Sequence, residues 1–306
     1  MATYRDVAIV LRTHKLGETD RIVTMLTRGR GKARAVAKGV RRTKSRFGSR
    51  LEPGMLVDLQ CYEGRSLDTV TQAEMIAPYG DRISRDYSAY TCAAAMLETA
   101  DRISEEHEPV VQQFNLLAGG LSALAHREHD SGMILDSYLL RAVAIAGWAP
   151  SFTDCAGCGA HGPHRAFNLA SGGAVCSACR TPGSAAPRPE TFVLLAGLLT
   201  GDWPVVEASE EPVRREADGL VAAYVQWHLE RGVRSLRLID HTPSTPLPPH
   251  EVFARTSLGT SRGPRLPPHE VFARTSAGTS RGPRLPPHEV FARTSLGTSR
   301  GPRLGA

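Results

Sequence analysis

The sequence predicts an α+β protein: a five-stranded OB-type β-barrel at the amino terminus, followed by an all-α helical domain that carries a four-cysteine zinc module. Three observations lead there. Residues 4 to 77 break into five short runs with strand-like alternation, separated by Gly-containing turns. From Asp81 the apolar residues recur three and four apart, as on amphipathic helices. Two Cys-x-x-Cys pairs then interrupt the helical stretch.

The strand runs are YRDVAIVLRT, DRIVTMLT, KARAVAK, MLVDLQCYE and LDTVTQAEMI, with turns such as HKLGE, RGRGK, LEPG and EGRS between them. Five short strands in so few residues suit a small closed barrel, which leaves no free edge and suits oligonucleotide binding. SAYTCAAAMLETADRI, PVVQQFNLLAGGLSALAH and MILDSYLLRAVAIAG read as amphipathic helices, and TFVLLAGLLT and RREADGLVAAYVQWHLER follow the cysteines. The predicted layout is a nucleic-acid-binding barrel over residues 1–80, a helical domain over 81–240 with the zinc module at 150–182, and a tail over 241–306.

The tail is repetitive. From Leu247 to Arg303 the 19-residue unit LPPHEVFARTSLGTSRGPR occurs three times, with Ala277 in the middle copy where the others have Leu258 and Leu296. Each unit has few apolar residues and is broken by three Pro and two Gly, too little to bury a core. The expectation is a disordered Pro/Arg-rich extension without a function of its own.

Charge separates the same three parts. The formal net charge is +6, and the repeats, with three Arg and one Glu each, account for all of it. Residues 1 to 80 hold fifteen Lys and Arg against eight acids, whereas residues 81 to 246 hold thirteen against twenty. A positive module joined to a negative remainder points to a polyanion-binding surface at one end. No apolar run approaches the roughly 18 residues of a membrane span, and Met1 to Asp20 has no continuous apolar segment of a cleaved signal. A soluble, cytoplasmic protein without a membrane partner is expected. Six cysteines are too few for a disulfide scaffold in a chain of 306 residues.

The densest charge lies in GKARAVAKGVRRTKSRFGSR, Gly31 to Arg50, with eight Lys and Arg and no acid. Strand alternation sends Ala33, Ala35 and Ala37 to one face and Lys32, Arg34 and Lys38, with Val36, to the other. The loop that follows adds Arg41, Arg42, Lys44, Arg46 and Arg50 before Glu52 ends the run. Phosphate neutralisation explains such a cluster, because each contact releases condensed counterions without base-specific geometry. Phe47 and Tyr62 are candidates to stack on bases. A loop kept charged for solubility is the competing reading; acid-free density on an oligonucleotide-binding scaffold favours nucleic acid.

The second constellation is Cys155-Ala-Gly-Cys158, seventeen residues, then Cys176-Ser-Ala-Cys179. Two such knuckles bring four thiolates around one tetrahedral zinc, with Gly157, Gly159, Gly172 and Gly173 permitting tight turns. Four sulfur ligands leave no position for water or substrate, so this zinc is expected to be structural. His161 and His164 are expected to be exposed loop residues, and Cys61 and Cys92 buried small hydrophobes. With no phosphate-binding Gly-x-x-x-x-Gly-Lys loop, no His-Glu-x-x-His and a closed metal centre, the chain is not expected to be an enzyme. The alternative is a zinc-ribbon transcription factor, against which stand apolar helices after the cysteines.

Together, YRDVAIVLRTHKLGETDRIVTMLTRGRGKARAVAKGVRRTKSRFGSRLEPG, YEGRSLDTVTQAE, LLRAVAIAGWAP, CAGCGAHGP and GGAVCSACR resemble the RecO family of bacterial DNA repair and recombination mediators. The likeness is to the zinc-bearing form from high-GC Gram-positive bacteria and covers roughly residues 3 to 240. It implies a barrel that binds single- and double-stranded DNA, annealing of complementary strands coated with single-stranded-DNA-binding protein, and cooperation with RecR in loading RecA. Carried over by position, the DNA-contacting region is Lys32, Arg34, Lys38, Arg41, Arg42, Lys44, Arg46 and Arg50, and the metal ligands are Cys155, Cys158, Cys176 and Cys179. The resemblance further implies docking of the coat protein's acidic, apolar carboxy-terminal peptide on the helical domain, for which Arg127 and Arg141 are candidates, although ordinary helix-surface or intrachain pairing is the favoured reading of each. A nucleoid-associated location in the cytoplasm follows from the same likeness.

Overall fold

A computed structural model of the chain describes residues 2–229 and Ser235, and the repeat tail lies outside the described residues. Five strands, β1 (Thr3–Leu16), β2 (Asp20–Thr27), β3 (Gly31–Ala37), β4 (Leu56–Tyr62) and β5 (Asp68–Ala77), form a closed barrel in the order β1-β2-β3-β5-β4. The pairs are antiparallel except β3 with β5, which run parallel and close the barrel through Ala35 opposite Asp68 and Val36 opposite Thr69. β1 is long because it serves two neighbours: Thr3 to Ile9 pair with β4, and Ala8 to Leu16 with β2 across a bulge between Val10 and Arg12.

In β1, Ala8, Ile9, Val10 and Leu11 are all buried, although strand side chains alternate between faces. Ala8 and Val10 enter the barrel interior with Val23, Met25, Val57 and Val70. Ile9 and Leu11, joined by Leu26 of β2, point outward into the core of the helical domain. The barrel and the helices therefore share apolar surface along one wall.

The helical body comprises α1 (Tyr79–Ile83), α2 (Tyr87–Ile103), α3 (Val111–His126), α4 (Ser131–Ile145), α5 (Pro189–Thr200), α6 (Trp203–Glu207) and α7 (Glu211–His228). Asp86 caps α2 by accepting from the Ala89 amide, and Asp130 caps α4 by accepting from Gly132 and Met133. α4 is the central helix: every residue from Met133 to Val143 is buried, including Asp136, Ser137 and Arg141. Gln113 Nε2 donates to the Ala142 carbonyl at 2.7 Å, and Ser137 Oγ to the Leu198 carbonyl at 2.7 Å. The expectation for Arg141 is corrected here. A helix apolar on all sides belongs inside, and Arg141, 9% exposed, has no surface on which to meet an incoming peptide.

Between α4 and α5 sits the cysteine module, with the two-stranded hairpin β6 (Ala166–Asn168) and β7 (Gly173–Val175). Phe152, Phe167 and Ala174 tie it to the helical core. The Phe167 ring lies 6.1 Å from Phe152 in a stacked arrangement and 6.1 Å from Tyr224 of α7, edge to face. Among the described residues no helix is long and apolar enough to cross a membrane.

Candidate nucleic-acid interface and metal centre

The basic segment is held from inside and charged outside. Val40, Phe47 and Leu51 are buried in the barrel core, Phe47 just before and Leu51 at the end of a 3-10 turn over Gly48–Leu51. The loop is also fastened to the β1–β2 turn. Gly39 N–H donates to Asp20 Oδ1 at 2.7 Å, Arg41 N–H to the Thr19 carbonyl at 2.9 Å, and Arg41 Nη1 to the Glu18 carbonyl at 2.8 Å. The Gly39 amide, with Thr19, holds the Asp20 carboxyl below the usual carboxylate range. Arg50 Nη1 turns back to the Arg46 carbonyl at 2.9 Å. With these anchors, Arg34, Lys38, Arg41, Arg42, Lys44 and Arg46 are all exposed, and Arg50 is half-buried.

Two candidates behave differently. Lys32 is half-buried: its Nζ donates to the Asp101 carbonyl at 2.8 Å and lies 3.9 Å from the Asp101 carboxylate. Arg12 meets the same carboxylate at 2.7 Å. The charged face of β3 abuts the end of α2 at that point, so Lys32 fastens barrel to helices rather than joining the free cationic face. Phe47 is 1% exposed and cannot stack on a base; its ring fills the barrel while the Arg46 guanidinium lies 4.8 Å from its centroid. Tyr62 is exposed, at 41%.

At the second constellation the four sulfur atoms of Cys155, Cys158, Cys176 and Cys179 all lie within 4.8 Å of one another. The donor set fits a metal ion that prefers four thiolates in a tetrahedron. The Cys176 amide donates to Cys155 Sγ at 3.3 Å, and this bond, with the Cys158 and Gly157 amides, holds the Cys155 thiol well below its ordinary range. Cys179 is pushed the other way by the thiols of Cys158, Cys176 and Cys155 around it. Four thiolates in so small a space need a cation to ionise together. Gly157 is required by closeness, since a Cβ there would come 3.2 Å from Cys179 Sγ, whereas Gly159, Gly172 and Gly173 have positive φ. The histidines stay outside: His161 Nδ1 pairs with Asp154 Oδ1 at 2.8 Å and His164 Nε2 with the Ala160 carbonyl at 2.8 Å. Cys61 and Cys92 are buried elsewhere.

Residues 1–79 match the family model described as Recombination protein O N terminal, and residues 84–237 the one described as Recombination protein O C terminal. The chain belongs to the RecO family. Similar proteins named DNA repair protein RecO occur in a Nocardioides species, 61% identical over 241 residues covering 78% of this chain and 99% of the relative, and in Streptomyces avermitilis, 56% identical over 247 residues covering 78% and 100%. The relative of that name in Thermobifida fusca is 55% identical over 241 residues, covering 78% and 99%. RecO-family membership assigns the chain a role in DNA repair by recombination.

Sequence reasoning missed Asp101 as the residue that gathers Arg12 and Lys32. Its signal was present but weak: an acid near the end of a helix in a negatively charged domain, next to a barrel rich in cations.

Proposed function

We propose that this RecO-family chain is a recombination mediator that works by charge and surface rather than by bond chemistry. The observation that carries the reading is the acid-free cationic loop, anchored by Val40, Phe47 and Leu51 to a closed barrel and presenting Arg42, Lys44 and Arg46 outward. Such a face binds single- and double-stranded DNA through phosphates and screens the repulsion between two backbones, which promotes annealing of complementary strands. Nothing in this action needs a nucleophile or hydrolysis, so the chain is not an enzyme.

The ion held by Cys155, Cys158, Cys176 and Cys179 is zinc, and its role is to close the cysteine module upon itself. RecR and the single-stranded-DNA-binding protein are the protein partners, with RecA loading as the downstream result, in the cytoplasm at the nucleoid. Arg127, 72% exposed and paired with Asp86 at 3.2 Å, remains the candidate for the coat protein's acidic peptide. The zinc-ribbon transcription factor has less support. In the helix after the cysteines, Phe192, Leu194, Leu195 and Leu198 are buried, and the helix has no Arg to read a major groove.

The test is annealing of complementary strands coated with the cognate coat protein, with and without ATP. Acceleration that ignores ATP supports the reading; no acceleration, or acceleration only with ATP, refutes it.

A further inference from the structure

With Phe47 inside the barrel, the cationic loop can hold a sugar-phosphate chain but offers nothing for the bases. Tyr62, at the end of β4, lies opposite Thr69 of β5, which itself pairs with Val36 of β3, so one exposed ring stands near the start of that loop. Single-strand binders join a positive groove to aromatic rings on which successive bases stack. A single ring is no series, so further rings must come from elsewhere on the surface.

α2 supplies them. Its inward face, with Ala89, Cys92, Ala93, Met96 and Ala100, is buried in the helical core. Tyr87 and Tyr90 face away, 70% and 55% exposed, and a spacing of three residues makes them neighbours on one side of the helix. Neither hydroxyl has a hydrogen-bond partner among the described residues. Tyr90 borders an open groove of about 350 Å³ whose other wall includes Leu11, Arg12, Pro53 and Gly54. Pro53 is three residues beyond Arg50, so the end of the basic loop reaches the groove within about 11 Å of chain. The Gly80 amide donates to the Gly54 carbonyl at 3.1 Å and fixes the loop to the start of the helical body.

Charge around the two rings suits a polyanion. Arg82, Arg85 and Arg127 are exposed near the start of α2; Arg85 pairs with exposed Asp81, and Arg127 with the half-buried capping residue Asp86, each at 3.2 Å. The guanidinium groups of Arg85 and Arg127, both largely exposed, are held by single weak pairs that compete poorly with phosphate. The two acids that line the groove are engaged within the chain: Asp101 by Arg12 and Lys32, Glu98 by Arg102 at 2.7 Å and by the Ser235 amide at 2.8 Å.

We propose that Tyr87 and Tyr90 are a base-stacking platform for a single-stranded polynucleotide, continuous with the cationic loop. A strand whose phosphates lie on Arg42, Lys44 and Arg46 passes the Pro53–Gly54 corner and lays its next bases on α2. One OB-type barrel covers roughly 4–16 nucleotides, enough for both contacts. This rests on the nucleic-acid reading above, and it adds that the helical domain takes part in reading the presence of bases.

The full chain, Tyr87→Ala/Tyr90→Ala and Tyr87→Phe/Tyr90→Phe are titrated with an oligo(dT), an abasic oligomer of equal length and a duplex, over a range of salt. The alanine pair is expected to weaken oligo(dT) binding by about 5-fold or more for each base that no longer stacks, with the salt slope and the abasic and duplex affinities unchanged. The phenylalanine pair is expected to restore it. Unchanged oligo(dT) affinity in the alanine pair overturns the proposal, as does an equal loss on the abasic strand. A further overturning result is protection of the tyrosines by an acidic, apolar-ended peptide but not by oligo(dT), which assigns the surface to a protein partner. If the parent chain binds none of the three oligomers at low salt, it is the nucleic-acid reading itself that fails.

Discussion

Removing Arg34, Arg42 and Lys44 together tests the cationic face with little structural side effect. All three side chains are exposed and make no hydrogen bond or ion pair among the described residues, so Ala at each is expected to leave the melting temperature unchanged. Arg41 is left intact because its guanidinium fastens the loop to the Glu18 carbonyl. Each phosphate that the protein no longer neutralises flattens the salt dependence by about 0.7 on single strands and about 0.9 on duplex. Three such phosphates amount to about 2.1 on single strands. Between about 50 and 200 mM salt, the parent then loses about 18-fold more single-strand affinity than the triple variant. Fluorescence anisotropy of a labelled oligo(dT) across that range measures it. A variant with the parental slope refutes the placement of phosphates on this face, even if its affinity falls.

Cys176→Ser is expected to lose the bound metal and about 3 kcal/mol or more of stability, a fall of roughly 6 °C or more in melting temperature. Elemental analysis with calorimetry checks it, and parent protein without metal overturns it. Burial, then the Asp218 charge, raises the Asp136 carboxyl well above its ordinary 3.8, so the native chain holds a proton there that the unfolded chain has released. Stability tied to that proton is complete below about pH 4 and is lost as pH climbs towards the raised value. Asp136→Asn is therefore expected to melt higher than the parent at about pH 7 and equally near pH 4; parallel melting curves across that range contradict it.

The barrel was legible because its information is local. Each strand is a run bounded by Gly turns, and the alternation of Ala33, Ala35 and Ala37 against Arg34 and Lys38 appears unchanged in the burial of β3. That five such strands close on themselves was legible too, but not which pair makes the closure, because β3 and β5 meet over only two residue pairs with β4 between them in sequence. The clustering of the four cysteines was readable from spacing alone, since two knuckles can surround one centre without help from the rest of the fold. Phe47 was misread because an irregular loop has no period to say which side chain turns in. Lys32 obeys its strand's alternation, yet the face it shares is covered at one end by α2, a tertiary contact that strand periodicity does not encode. Arg141 left a usable trace: in MILDSYLLRAVAI apolar residues surround it on every side of the helix, the mark of a buried helix and not of a surface one.

β1 keeps two bodies in step. Alternate residues of one strand fill two different cavities, Ala8 and Val10 on the barrel side, Ile9 and Leu11 on the other. A one-residue slip would deliver large side chains where small ones fit and the reverse, spoiling both at once. The exposed cations of the basic segment lie mainly between β3 and β4, outside β1, so a change of charge there leaves the placement of both sets of side chains alone.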